Sequence, residues 1–147
     1  MLLTLHSIVR WLVLSGALAA TGLAFSAFRG QPWSPLHKRA NLFYLIAFDL
    51  QFLLGVLLWL QSELVQRART DMGAAMRDPQ LRFFTIEHGT FALLALGAMH
   101  VAYATAKRAG TDLTKHRNAF LGFAASLALI LAAVPWPFRV VGRALWP

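Results

Sequence analysis

Polar residues in this chain come in short blocks, and apolar runs of about 20 residues separate them. At 1.5 Å of rise per residue, a run of that length crosses the roughly 30 Å hydrocarbon core of a bilayer. The runs cover approximately residues 2–28, 40–61, 83–106 and 119–136. A chain inside lipid must satisfy its backbone polar groups within each segment, so each run is predicted to be a helix. Two connections, about 29–39 and 107–118, are short, and one, about 62–82, is longer. Short connections favour antiparallel neighbours, which predicts an all-α, integral-membrane, up-down-up-down four-helix bundle. Neither an internal repeat nor a second domain is visible, so residues 1–147 read as one membrane domain. Pro135 and Pro137 in "VPWPF" end the last helix. The tail "RVVGRALWP" is short, basic and aromatic, and is expected at the membrane interface. The segment "ALAA" at 17–20 resembles a leader cleavage site. However, no Lys or Arg precedes the first run, and the run is long for a leader's apolar stretch, so it reads as a retained span.

Composition agrees with the pattern. Of 147 residues, 58% are hydrophobic, and the mean hydropathy is +0.56. That leaves too little polar surface for a soluble domain of this size. The absence of cysteine excludes disulfides, iron–sulfur clusters, thiolate metal sites and c-type haem attachment. The formal charge of +8 does not imply nucleic-acid binding, because basic residues flanking spans are the ordinary topology signal. Arg29, Lys38, Arg39, Lys107, Arg108, Lys115 and Arg117 crowd the two short connections against one acid, Asp112. Arg67, Arg69, Arg77, Arg82, Arg139 and Arg143 lie on the other side, mixed with Glu63, Asp71, Asp78 and Glu87. The denser basic side is expected to be cytoplasmic, with both termini on the opposite side. Trp33, Trp59, Trp136 and Trp146 fall near predicted boundaries, as interfacial tryptophans do.

Candidate chemistry rests on ionisable residues in or at the edge of the spans: His6, Arg10, Asp49, Glu87, His88 and His100. Such residues are costly in lipid and face the bundle interior as a rule. Spans one and three run in the same direction. His6 is ~13 Å and His88 ~10 Å from the midplane, on the same side. Two inward imidazoles at matching depth could ligate one haem iron from opposite faces. Gly16 and Ala17 on the first span, and Gly89, Ala92 and Ala95 on the third, would leave room for a flat macrocycle. Small residues equally let bare helices pack closely, and each histidine could instead make only hydrogen bonds. Arg10 shares a helix face with His6 and could meet a haem propionate, Glu87 or Asp49. Asp49 falls near the middle of the second span and requires a partner, and an Arg10–Asp49 ion pair is the plainest expectation. A proton-relay role is the sharper reading. Gln51 lies ~200° from Asp49 around the helix, so the two serve different neighbours. Glu87 is explicable as an acid at a helix start or as a proton acceptor beside a cofactor. His100 lies ~120° around the helix from His88 and is expected to form hydrogen bonds rather than hold a second haem. His37 and His116 fall in connections and are expected to be solvated.

"LHSIVRWLVL" at 5–14, "QFLLG" at 51–55, "LRFFTIEH" at 81–88 and "VPWPFR" at 134–139 together resemble a family of small bacterial four-transmembrane-helix proteins. That family is known as cytochrome b or cytochrome-b-like, and the resemblance covers essentially the whole chain. It implies a multi-pass protein of the bacterial inner membrane, with periplasmic termini on the orientation above. It also singles out His6, Arg10, Glu87 and His88. The chain departs from the family's pattern at Asp49, where relatives can carry a histidine, so the resemblance supplies no ligand from the second span.

The leading expectation is therefore a b-type cytochrome-like protein, or a subunit of a respiratory or photosynthetic electron-transfer complex. His6 and His88 would bind the iron of haem b, with Arg10 and Glu87 beside it and Asp49, Arg10 and His100 in a polar network. The alternatives are a haem-free accessory or assembly subunit and a quinone-binding protein. The expected partners are the bilayer and a larger complex or further copies of the chain, with no nucleic acid. Nothing resembles the nucleophile, metal or phosphate motifs of a hydrolase or kinase. The spans also lack the repeat and the Gly/Pro interruptions of many transporters. Enzymatic activity is thus expected, if at all, only within a complex.

Overall fold

The computed structural model describes residues 1–27 and 30–145. The expected end of the first span at Phe28, the basic Arg29 and the boundary tryptophan Trp146 lie outside the described residues. Regular structure among the described residues is entirely helical: α1 (Leu2–Ser26), α2 (Pro35–Gln61), α3 (Glu63–Thr70), α4 (Met72–Arg77), α5 (Pro79–Arg82), a π-turn (Phe83–Glu87), α6 (His88–Arg108) and α7 (Asp112–Ala133). Four segments are long and apolar enough to cross a membrane: α1, α2, the continuous run Pro79–Arg108, and α7. The chain is therefore a multi-pass helical membrane protein.

Capping extends the helices beyond their apolar runs. Ser34 precedes Pro35 at the first position of α2, where the missing proline N–H is not needed. The Ser34 N–H donates to His37 Nδ1 at 3.2 Å, so α2 starts one turn before the apolar run. The third span likewise begins at Pro79, with Asp78 accepting from Gln80 N and Leu81 N at 2.8 and 2.9 Å. Glu87 is thus nine residues inside that helix, and the helix-start explanation for it is set aside. The longer connection folds into α3, α4 and α5, capped by Ser62, Asp71 and Asp78. It packs on the bundle through Val65, Ala68 and Ala75, each at most 1% exposed.

Around the bundle the neighbours run α1–α2–α6–α7, so α1 and α6 stand on a diagonal. The seams are built of small residues. Ala17, Ala20, Ala24, Ala95, Ala102, Ala106 and Ala119 are all buried. At Gly122 a Cβ would sit 2.4 Å from Ala102 Cβ, which marks the closest approach of α6 and α7. Tyr44 donates to Ser126 Oγ at 2.6 Å, and Ser126 donates to the Ala95 carbonyl at 2.7 Å, tying α2, α7 and α6 together.

One expectation about the bundle ends is revised. His37 and His116 are buried, not solvated, at 5% and 1% exposure. Trp33 stacks on His37 with ring centroids 5.1 Å apart and covers His116 at 4.9 Å. The helix starts of α2 and α7 bring these residues together, which separate sequence positions did not reveal. The C-terminal tail folds back over the other end. Arg139 donates to the carbonyls of Ala132 and Val134 at the end of α7, and Arg143 N donates to Pro135 O at 3.1 Å. Phe138 and Val140 remain over 80% exposed.

Candidate functional site

Helices on a diagonal aim their inward residues at one another, and His6 of α1 and His88 of α6 do so. Their ring centroids lie 6.3 Å apart at an interplanar angle of 63°. Both line a cavity of about 1280 Å³ bounded by α1, α2, α3, α6, the end of α7 and the tail. That volume is on the scale of, or above, the roughly 300–1,000 Å³ of small-ligand sites. The walls are largely apolar, from Leu3, Val13, Phe48, Phe52 and Ile130. Polar residues on the lining include His6, Arg10, Gln51, His88 and Arg143, with Ser7, Gln61, Ser62, Glu63, Thr85 and Thr90.

The local backbone explains how His88 is delivered. The π-turn gives an i→i−5 bond from His88 N to Phe83 O, which turns the residues after it relative to a regular helix. Trp59 Nε1 donates to Thr85 O at 2.9 Å and satisfies a carbonyl of this turn. His88 Nδ1 is 2.8 Å from the Ala133 carbonyl, which can only accept, so Nδ1 carries the proton and Nε2 keeps its lone pair. His6 is held differently. Its Nε2 lies 3.2 Å from Gln51 Nε2, and its Nδ1 is buried without a hydrogen-bond partner. Gly55 clears its space, because a Cβ there would come within 3.3 Å of His6 Cε1.

The other sequence candidates divide. Arg10 lines the cavity, donates to the Leu145 carbonyl of the tail, and leaves its buried Nε without a partner. It does not reach Asp49. That residue pairs with His100 instead, Oδ1 to Nε2 at 2.8 Å. The expected Arg10–Asp49 pair is thus replaced, because Asp49 and Arg10 face different seams of the bundle. Gln51 and Asp49 do serve opposite neighbours, His6 and His100. Glu87 forms an ion pair with Arg82 at 2.6 Å and is not among the lining residues. Its placement beside a cofactor is therefore revised, since the π-turn points it back along its own helix. His100 is hydrogen-bonded as expected, but on the outer surface rather than in the interior.

Gln51, Trp59 and Arg143 were not chosen as site residues from sequence. Arg143 carries the only available hint, a cation in a tail that must fold somewhere. Its guanidinium lies 4.1 Å from the Phe84 ring centroid at the cavity rim.

A haem between His6 and His88 can be tested against this geometry. Two imidazoles sharing one metal at about 2.0 Å each would have ring centres about 6.2 Å apart. The observed 6.3 Å is close to that spacing. The cavity beside the rings and the oriented His88 agree with ligation. Gln51 on His6 Nε2 is the one competing contact. Groups of three or more His, Cys, Asp or Glu side chains able to hold a bare metal ion are not found among the described residues. No protein-family model matches the chain, and no curated protein or solved structure matches it either.

Proposed function

We propose that the chain is a b-type haem protein serving membrane electron transfer, with His6 and His88 as the residues that would hold the haem. The observation that carries this reading is the opposed pair of imidazoles, 6.3 Å apart on diagonal helices at the wall of a large apolar cavity. A haem there would supply one-electron chemistry, and the protein would supply ligation, orientation and a low dielectric. His88 is pre-set by its Nδ1 hydrogen bond to Ala133, the kind of outer contact that fixes a ligand's tautomer. Arg10 and Arg143 place positive charge at the cavity, suited to carboxylate groups on the ligand. The redox partner would be a neighbouring protein of a bacterial inner-membrane respiratory or photosynthetic complex, as the resemblance implies.

One contact favours a second reading. Gln51 holding His6 Nε2 forms a neutral hydrogen-bonding pair, which could instead address the carbonyl of a quinone. A haem-free accessory role has no comparable observation in its favour.

The test is a reduced-minus-oxidised spectrum of protein purified in mild detergent after haem-supplemented expression. The expected result is a b-type band lost in both His6→Ala and His88→Ala. A wild-type protein that takes up no haem, or a band unchanged in both variants, overturns the assignment. Co-purified quinone displaced by Gln51→Leu, with no haem band, selects the second reading.

A further inference from the structure

Val56 of α2 and Ile86 and Leu93 of the third span line the cavity, yet they are 39%, 43% and 56% exposed. Residues that meet both the interior and the exterior mark the rim of a side opening. Phe52, Val56 and Trp59 share one face of α2, and Ile86, Thr90 and Leu93 share one face of the third span, at steps of four and then three residues. Measured from the centres of the runs 40–61 and 83–106, both edges extend from ~2 to ~13 Å from the midplane. They stand level with each other, inside the ~15 Å half-thickness of the hydrocarbon core. The bond from Trp59 Nε1 to the Thr85 carbonyl, 2.9 Å long, bars the end of this mouth nearest the membrane surface. Two glycines form its waist. Gly55 and Gly89 are ~7 and ~8 Å from the midplane by the same count. Glycine in a membrane helix commonly admits a neighbouring backbone, as Gly122 does beside Ala102. Neither waist glycine does so. A Cβ on Gly89 would meet nothing within 4 Å, and one on Gly55 would meet only the ring of His6.

We infer that the cavity is loaded sideways from the bilayer, through this mouth between α2 and α6, by a lipid-dissolved molecule with an apolar body and a hydrogen-bonding head. The apolar body matches the walls and the hydrocarbon outside the mouth. The head matches what lies behind it. Thr85 is 7% exposed, and its Oγ1 has no hydrogen-bond partner among the described residues. Arg10 Nε and Gln51 Oε1 are likewise buried without partners, and all three residues line the cavity. Buried polar groups are hydrogen-bonded as a rule, and a bare hydrocarbon chain would leave these unpaired. The inference rests on the cavity as the ligand site, as proposed above, and applies to haem and quinone alike.

The cavity also reaches Gln61 and Glu63 at the membrane surface, so entry from water is the competing route. The chain has no cysteine, and Ser7→Cys places a single thiol on the α1 wall, across the cavity from α6. The full-length variant is reconstituted without cofactor into liposomes and offered two maleimides. One bears pyrene and is dissolved in the lipid, and the other bears sulfonates and is confined to the water on both sides. The expected result is complete labelling by the pyrene reagent and little by the sulfonated one in the same time. Gly89→Leu sets a side chain across the waist with no clash at its Cβ, and is expected to slow pyrene labelling about tenfold with its final extent unchanged. Val56→Trp narrows the mouth from the α2 edge and should act alike. Gly97→Leu is the control, on the same helix but off the cavity, and should leave the rate unchanged. Circular dichroism checks the helicity of each variant. Labelling by the sulfonated reagent as fast as by the pyrene reagent, labelling by neither, or equal rates in the mouth variants and Gly97→Leu would overturn the inference. Lipid-side labelling of a protein that takes up no haem would sink the haem assignment and leave the side entrance standing.

Discussion

Gly122→Ala tests whether the closest helix seam is set by glycine. The added Cβ would fall 2.4 Å from Ala102 Cβ, 3.1 Å from Ala102 Cα and 3.2 Å from the Ala98 carbonyl. Carbon atoms pack best at about 3.5–4.0 Å, so α6 and α7 must part by roughly 1 Å here. Separation disturbs the buried Ala102, Ala119 and Phe123, and lengthens the 2.7 Å Ser126–Ala95 bond one turn along. Overpacking of this kind costs about 1–3 kcal/mol. Alanine's helix propensity returns up to about 1 kcal/mol, and the 2.4 Å clash places the steric cost at the upper end, so the expected net loss is about 2 kcal/mol. The assay is reversible unfolding in mixed micelles, following helicity as denaturing detergent is titrated. Ala102→Gly in the same chain removes the shortest contact and should recover much of the loss relative to Ala102→Gly alone. That recovery is a favourable coupling between neighbours. Stability at or above wild type in Gly122→Ala, or the same loss in both backgrounds, would refute the reasoning.

Three further outcomes are expected. Tyr44→Phe keeps the ring stacked on Phe48 and edge-on to Phe123 and removes the donor to Ser126, which should cost about 0.5–1.5 kcal/mol in the same unfolding assay. Trp59→Phe frees the Thr85 carbonyl while leaving an aromatic ring under Arg69, so hydrogen exchange at residues 83–88 should accelerate more than in the rest of the third span. Gln51→Leu removes the partner of His6 Nε2 and should lower stability by about 0.5–1 kcal/mol, yet haem uptake in a titration should persist if Gln51 only competes with the iron.

The pairing of His6 with His88 was legible before any coordinates. Depth along a helix follows from residue count at 1.5 Å per residue, and parallel spans share a direction, so equal depth on spans one and three was a consequence of arithmetic. The start of α5 was missed, because hydropathy alone begins the span at Phe83, although Asp78–Pro79, an N-cap followed by a first-turn proline, carried the signal. The partners of Arg10 and Glu87 were not legible. Each had several oppositely charged or polar groups within plausible reach, and rotation of the helices selects among them. The π-turn changes that rotation after Phe83, and an apolar periodicity does not announce it.

The sequence by itself determined the number of spans and their helical state, because lipid thickness and backbone satisfaction require about 20 helical residues per crossing. Only the tertiary structure decided which faces meet. It put α1 and α6 on a diagonal, so that two histidines face each other at a cavity. It turned Asp49 and His100 outwards and buried His37 and His116 under Trp33. The physical reason is that depth is a property of one helix, whereas azimuth is settled by packing among four, through contacts as local as Gly122 against Ala102.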